Sequence, residues 1–120
     1  MTPKKKVEFL IIGQGLAGSL LGWQLIQQGR SVLIIDPCLK QTASRTAAGL
    51  INPVTGKRLV KTDHVEHYLT TAKELYAELA NFFGLRFFHE REQVRLFQSD
   101  AELNQWNKRK NQADYAPFLA

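Results

Sequence analysis

One cysteine, Cys38, stands in 120 residues, so no disulfide can form within the chain. Small secreted domains lean on such bridges, and their absence makes the cytoplasm the expected compartment. No apolar run approaches the ~20 residues of a membrane-spanning helix, so the chain reads as soluble, with no membrane partner. Internal repeats and low-complexity segments are lacking too. Acidic residues are in the minority, 11 against 16 Lys and Arg, for a formal net charge of +5. A nucleic-acid partner is nonetheless not expected. The basic residues cluster only as Lys4-Lys5-Lys6 and Lys108-Arg109-Lys110, and runs of three suit solvated ends rather than a phosphate-binding tract. The opening apolar stretch, Phe9-Leu10-Ile11-Ile12, is too short for a secretory signal and leads straight into glycines.

What is present is the composition of a folded domain. Hydrophobic residues make up 44% and aromatics 10% of the chain, enough apolar surface to exclude global disorder. The length suits one domain on the usual prior of roughly 100–200 residues. Val7 to Ile12 reads as a buried strand, and Leu16 to Gln28 as a helix. Ala17, Gly18, Leu21, Gly22 and Leu25 form its apolar stripe, and Gly29 stops it. Two glycines in that stripe lower helix propensity by roughly 1 kcal/mol each, which close packing on a sheet would explain. Ser31 to Ile35 is a second aliphatic strand, ended by Asp36-Pro37. Strand, helix and strand within about thirty residues make a βαβ unit, and strands apolar throughout belong in a parallel sheet covered on both faces. The fold class is therefore α/β, a Rossmann-type unit.

From Cys38 to Lys61 no period holds, and the segment is expected to be a long loop of functional character. Asp63 with Glu66 resembles a capping box opening a helix to about Phe83. Its buried face would be Val65, Leu69, Ala72, Tyr76, Leu79 and Phe83, and Gly84 would end it. Arg86 to Gln98 is expected to form a β-hairpin. Ser99 with Glu102 opens a last helix through Leu103 and Trp106. The division expected is residues 1–62 for a dinucleotide-binding unit and its loop, and 63–120 for helix, hairpin and helix leading into a substrate or cap domain.

Gly13-Gln14-Gly15-Leu16-Ala17-Gly18 fits G-x-G-x-x-G. Alone the pattern is weak, but here it follows a strand, opens a helix and precedes a strand ending in an acid. Gly13 permits the tight turn, Gly15 lets a pyrophosphate approach the backbone, and Gly18 lets the helix pack on the strand. Free N–H groups at the helix start face the phosphates with the positive end of the helix dipole. Asp36 lies 18 residues past Gly18, placed to accept hydrogen bonds from a ribose. No arginine follows it directly, which argues against a 2′-phosphate and so against NADP. The motif does not choose between NAD and FAD. The small residues from Thr42 to Pro53 favour FAD, since they let a planar ring lie against the backbone.

Ile11-Ile12-Gly13-Gln14-Gly15-Leu16-Ala17-Gly18 and Ala47-Ala48-Gly49-Leu50-Ile51-Asn52-Pro53 together resemble the N-terminal part of FAD-dependent oxidoreductases of the D-amino acid oxidase/glycine oxidase superfamily. The resemblance continues through the next helix to Phe87-Phe88-His89-Glu90-Arg91 and covers nearly the whole chain. It implies FAD as cofactor, with Gly13, Gly15, Leu16, Ala17 and Gly18 at the pyrophosphate and Asp36, beside Pro37, at the adenosine ribose. It implies contacts to FAD from Ala43, Ser44, Ala48, Gly49 and Leu50. The departure of aspartate from the commoner glutamate at position 36 is modest. Members of that family are much longer, and their later segments complete the sheet and supply substrate-binding residues. The resemblance thus implies most of a flavin site and little of a substrate site.

No other cluster competes. His64 and His67 lie three apart without a third ligand nearby, and His89 is on another element, so no metal is expected. Cys38 reads as a passive small hydrophobe, and Arg45 as either solvated or near a phosphate. Tyr68 and Tyr76 read as core, and no nucleophile–base pair is visible, so no catalytic residue is assigned. That absence suits chemistry carried by a cofactor. The expected function is oxidation of a small amine or amino acid by hydride transfer to flavin. The alternatives are a non-catalytic nucleotide-binding fragment, an NAD-binding unit, or a flavoprotein of tRNA modification. The 120 residues alone are expected to be inactive, marginally stable, and prone to aggregate or form a homo-oligomer.

Overall fold

The computed structural model describes residues 6–119, so Lys4 and Lys5 of the first basic run lie outside the described residues. The chain falls into two compact units that meet in sequence at Leu50 and Ile51. The first contains β1 (Phe9–Ile12), α1 (Leu16–Gln27), β2 (Val32–Ile35) and the single turn α2 (Ala43–Thr46). The strands pair in parallel, with Phe9 opposite Val32 and Ile12 opposite Ile35. This is the expected βαβ unit, with both strands slightly shorter than the sequence suggested.

One face of this two-stranded sheet meets α1. A Cβ added to Gly22 would lie 3.1 Å from Ile34 Cδ1 and 3.6 Å from Ile11 Cδ1, so the absent side chain is what lets helix and sheet close. Gly18, Gly22 and Leu25 of the expected stripe turn inward, whereas Ala17 and Leu21 are exposed. The opposite face, carrying Leu10, Ile12, Leu33 and Ile35, is bare; Ile12 is 83% exposed. Of the seven aliphatic positions Leu10–Ile12 and Val32–Ile35, Ile11 alone is buried. The expectation of a sheet covered on both faces holds for one face.

The second unit contains β3 (Val54–Thr55), β4 (Val60–Lys61), α3 (Val65–Phe83) and α4 (Asp100–Arg109). Two corrections fall on the segment expected to be an unbroken loop. Residues 43–46 make a helical turn, and residues 54–61 make a small antiparallel hairpin. Pattern analysis misses both because one turn and two paired residues are shorter than any period. Leu59 anchors the hairpin: it is 1% exposed, in left-handed conformation, and packs with Val54, Tyr115 and Leu119, flanked by Trp106 and Phe118. The Tyr115 hydroxyl accepts the Lys61 N–H at 3.3 Å, joining hairpin to C-terminal segment.

Helix α3 spans the expected residues, but the capping box does not form. His64, left-handed at φ 55°, is the N-cap residue, and no side chain caps the helix. Glu66 instead receives the Lys61 ammonium at 2.8 Å, a stronger charged partner than a backbone N–H. Of the expected face, Val65 and Leu79 are buried, Leu69, Ala72 and Tyr76 half-buried, and Phe83 exposed. Tyr68, expected in the core, is exposed on the flank of the helix and lies against His67. Gly84 ends the helix in left-handed conformation, as expected.

The expected hairpin at Arg86–Gln98 is absent; among the described residues these form no strand ladder. Their alternation is poor and no neighbouring surface rewards it: Val94 and Leu96 are 89% and 82% exposed. Side chains hold the segment instead, through the Lys73–Glu90 ion pair and the Arg95 hydrogen bond to the Gly56 carbonyl at 3.0 Å. Helix α4 starts as its sequence dictates. Ser99 Oγ accepts the Glu102 N–H, and Glu102 reaches back to the Gln98 N–H at 3.2 Å. Lys108 and Arg109, from the second basic run, sit in its last turn, where cations complement the dipole.

Candidate functional site

The turn from β1 into α1 is shaped by three glycines with different physical demands. Gly13 has φ +98°, a left-handed backbone that strains an L side chain, although nothing lies within 4 Å of an added Cβ. Gly18 has no space: a Cβ there would sit 2.0 Å from the Gly13 carbonyl oxygen and 3.3 Å from Ile11 Cγ2. Gly15, the N-cap residue of α1, has ordinary φ −73°, and an added Cβ would meet nothing nearer than Ser44 Oγ at 3.4 Å. The fold itself therefore demands glycine at 13 and 18, and leaves the reason for glycine at 15 to whatever approaches the turn from outside.

A helix begins with N–H groups that have no intrahelical acceptor. In α1 the Leu16 N–H donates to Ser44 Oγ at 3.0 Å. The Gly15, Ala17 and Gly18 N–H groups have no acceptor among the described residues. No acidic side chain stands in the first turn of α1 to neutralise the positive end of its dipole. The start of α1 thus offers convergent donors and positive potential beside a glycine with no side chain, which fits a phosphate group.

Asp36 follows β2 and turns toward the same turn. Its Oδ2 accepts the Gln14 N–H at 2.6 Å and its Oδ1 the Cys38 N–H at 2.7 Å. The Gln14 N–H, then the Cys38 N–H and the field of Arg45, hold its carboxyl below the usual aspartate value. Each oxygen keeps a second lone pair for an outside donor.

The residues singled out from sequence are thus only partly brought together. Asp36 is bonded to the glycine turn through Gln14 and Ser44 through Leu16, next to Gly13, Gly15 and Gly18. Ala17 sits exposed in the first helical turn, and Pro37 and Ala43 flank Asp36 and Ser44 in sequence. Ala48, Gly49 and Leu50 are exposed, with no hydrogen bond to the turn among the described residues. Sequence reasoning missed the contacts of Asp36 with Gln14 and of Ser44 with Leu16. An aspartate and a serine in the segment after β2 were the available signal, but nothing in their spacing says which N–H each accepts. His64 is the N-cap residue of α3 and His67 lies in its first turn, and no group of three metal-ligating side chains forms among the described residues. Cys38 is exposed and left-handed at φ 54°.

No helix among the described residues is long and apolar enough to cross a membrane. No curated protein and no solved structure matches the chain. The family model of FAD dependent oxidoreductases matches residues 8–118, nearly the whole sequence, including the glycine turn, Asp36 and the Ser44 segment. With that match over a chain whose first unit is a βαβ unit, the chain belongs to the FAD dependent oxidoreductase family.

Proposed function

We propose that the first unit binds FAD in the Rossmann manner. The turn from Gly13 to Gly18 takes the pyrophosphate, and the spare lone pairs of Asp36 take the adenosine ribose hydroxyls. Ala43 and Ser44 border the phosphates, while Ala48, Gly49 and Leu50 supply small, exposed backbone against which the ring lies. The observation that carries the reading is Gly15. Its backbone angles and surroundings would accept a side chain, yet it stands beside free N–H groups at a helix start, where only a glycine lets a phosphate reach the backbone. Family membership supports FAD over NAD.

When bound, FAD supplies a two-electron acceptor for a C–H next to nitrogen, and the substrate class is a small amine or amino acid. The chain's own residues bind and orient. Gly15, Ala17 and Gly18 offer N–H donors, Leu16 holds Ser44 beside them through its own N–H, and the ionised Asp36 rejects a second phosphate on the ribose by like charge. The setting proposed is the cytoplasm, with a small-molecule substrate and no nucleic-acid partner, and with self-association of the isolated chain. An absorbance spectrum of purified protein after incubation with FAD and gel filtration tests the cofactor. A retained flavin band is expected, and a colourless protein that retains NAD would overturn it. Oxygen consumption or dye reduction with a panel of amines and amino acids, measured on protein that holds FAD, tests the substrate class.

A further inference from the structure

A single carboxylate, that of Asp36, 22 residues past Gln14, ties two separate stretches of backbone together. One is the Gly13–Gln14 turn, which opens with a left-handed glycine at φ +98°. The other is the exit from β2, where Cys38 is left-handed at φ 54° without being glycine or asparagine. A cysteine in that region costs on the order of 1 kcal/mol and persists only where its surroundings fix it. Asp36 fixes it, because Oδ1 accepts the Cys38 N–H while Oδ2 accepts the Gln14 N–H. The Gly13 N–H meanwhile donates to the Ile35 carbonyl at 2.8 Å, so sheet pairing ends at Gly13 and the carboxylate takes over one residue later. Both oxygens are thus engaged by the chain's own backbone, and each keeps one lone pair for a ribose.

The geometry points to Asp36 as the positioning residue of the phosphate-binding turn: its carboxylate clamps Gln14 to Cys38 before any ligand arrives, and a ribose contact comes in addition. The inference rests on the proposed function for the meaning of the turn, but the clamp itself is a property of the free protein. It also accounts for the short side chain. An aspartate on the residue after β2 reaches Cys38 two residues on and the turn beside it.

The test uses the full chain without ligand, then with inorganic pyrophosphate, which has phosphates and no ribose. In wild-type protein the amide protons of Gln14 and Cys38 should move together through one acid titration, that of Asp36. Arg45 and the Cys38 thiol are the other titratable groups beside it. In Asp36→Asn, which keeps the shape but loses an acceptor, exchange of the Gln14 amide should speed up at least tenfold. Exchange within the middle of α1 should stay as in wild type. Pyrophosphate affinity should fall at least fivefold in Asp36→Asn and further in Asp36→Ala. Amides of Gln14 and Cys38 that ignore the titration, or pyrophosphate affinity untouched by either substitution, would overturn the clamp. If the amides behave as stated and wild-type protein binds neither pyrophosphate nor ADP, the clamp stands and the phosphate reading of the turn fails.

Discussion

The fold requires glycine at position 18 but not at position 15, and substitution separates the two. A methyl group at Gly18 would run into the Gly13 carbonyl, which belongs to the backbone and cannot step aside. Gly18→Ala should therefore destabilise the first unit by about 3 kcal/mol, the upper end of overpacking costs, read as a lowered denaturation midpoint. At the same scale, Asp36, Glu8, Glu66 and Glu90 all have carboxyls held below their ordinary values. Asp36 is held by the Gln14 and Cys38 N–H groups, Glu8 by the Ser31 N–H and then Arg30, Glu66 by Lys61 and Glu90 by Lys73. A carboxyl lowered in the folded state contributes stability that is present above its unfolded value and lost as pH falls through its folded one. The midpoint should accordingly be flat near neutrality and drop below about pH 4, where unfolded carboxylates begin to protonate. A melting series in acetate and formate buffers checks this. Lys61 is shifted up, by Glu66 first and Asp114 after it, so its contribution is lost only as pH rises through its raised value.

Helix starts show which local signals become structure. Ser99 and Glu102 look in sequence like Asp63 and Glu66, yet the first pair caps α4 while the second leaves α3 uncapped. The difference is Lys61, which no spacing rule brings into play because β4 delivers it from the hairpin. Ser99→Ala should cost about 1 kcal/mol of stability, as loss of a genuine cap does, while Asp63→Ala should change it by a few tenths at most. Chemical denaturation of the two variants side by side makes the comparison. The elements legible in the sequence were those with a long period or a stop signal: β1, α1, β2, α3 and α4. The glycine roles at 13 and 18 were legible too, because sterics act locally. The β3–β4 hairpin, the α2 turn, and the partners of Asp36 and Ser44 were not, since each depends on which distant backbone happens to lie alongside. Residues 86–98 show the reverse case, a strand-like composition that stays irregular, since no strand among the described residues pairs with it.

At the scale of the molecule the unusual quantity is surface. The chain exposes 10141 Å². A folded monomer of 13.7 kDa is expected to expose about 6,600 Å², and two separate bodies of half that mass about 8,000 Å². The excess is substantially apolar: the bare face of the β1–β2 sheet in one unit, and Phe82, Phe83, Leu85, Val94 and Leu96 in the other. Among the described residues both strands of that sheet are also edges, which invite pairing with another chain. The 120 residues alone should therefore bind a hydrophobic dye, melt broadly, and scatter light as oligomers at micromolar concentration. A monomer with a sharp transition and no dye binding would show that these surfaces are covered in a way the fold does not contain.

The central claim is that the start of α1 is a phosphate site of a dinucleotide-binding unit, and Gly15→Val tests it most directly. The backbone angles at Gly15 suit any residue and an added Cβ meets only Ser44 Oγ, so the variant should keep the far-ultraviolet circular dichroism of the wild type. Calorimetric titration with FAD and with ADP should show binding to the wild-type chain and a loss of at least about a hundredfold, near 3 kcal/mol, in the variant. Equal affinity in the two proteins, with unchanged circular dichroism, would contradict the account and move the ligand away from this turn.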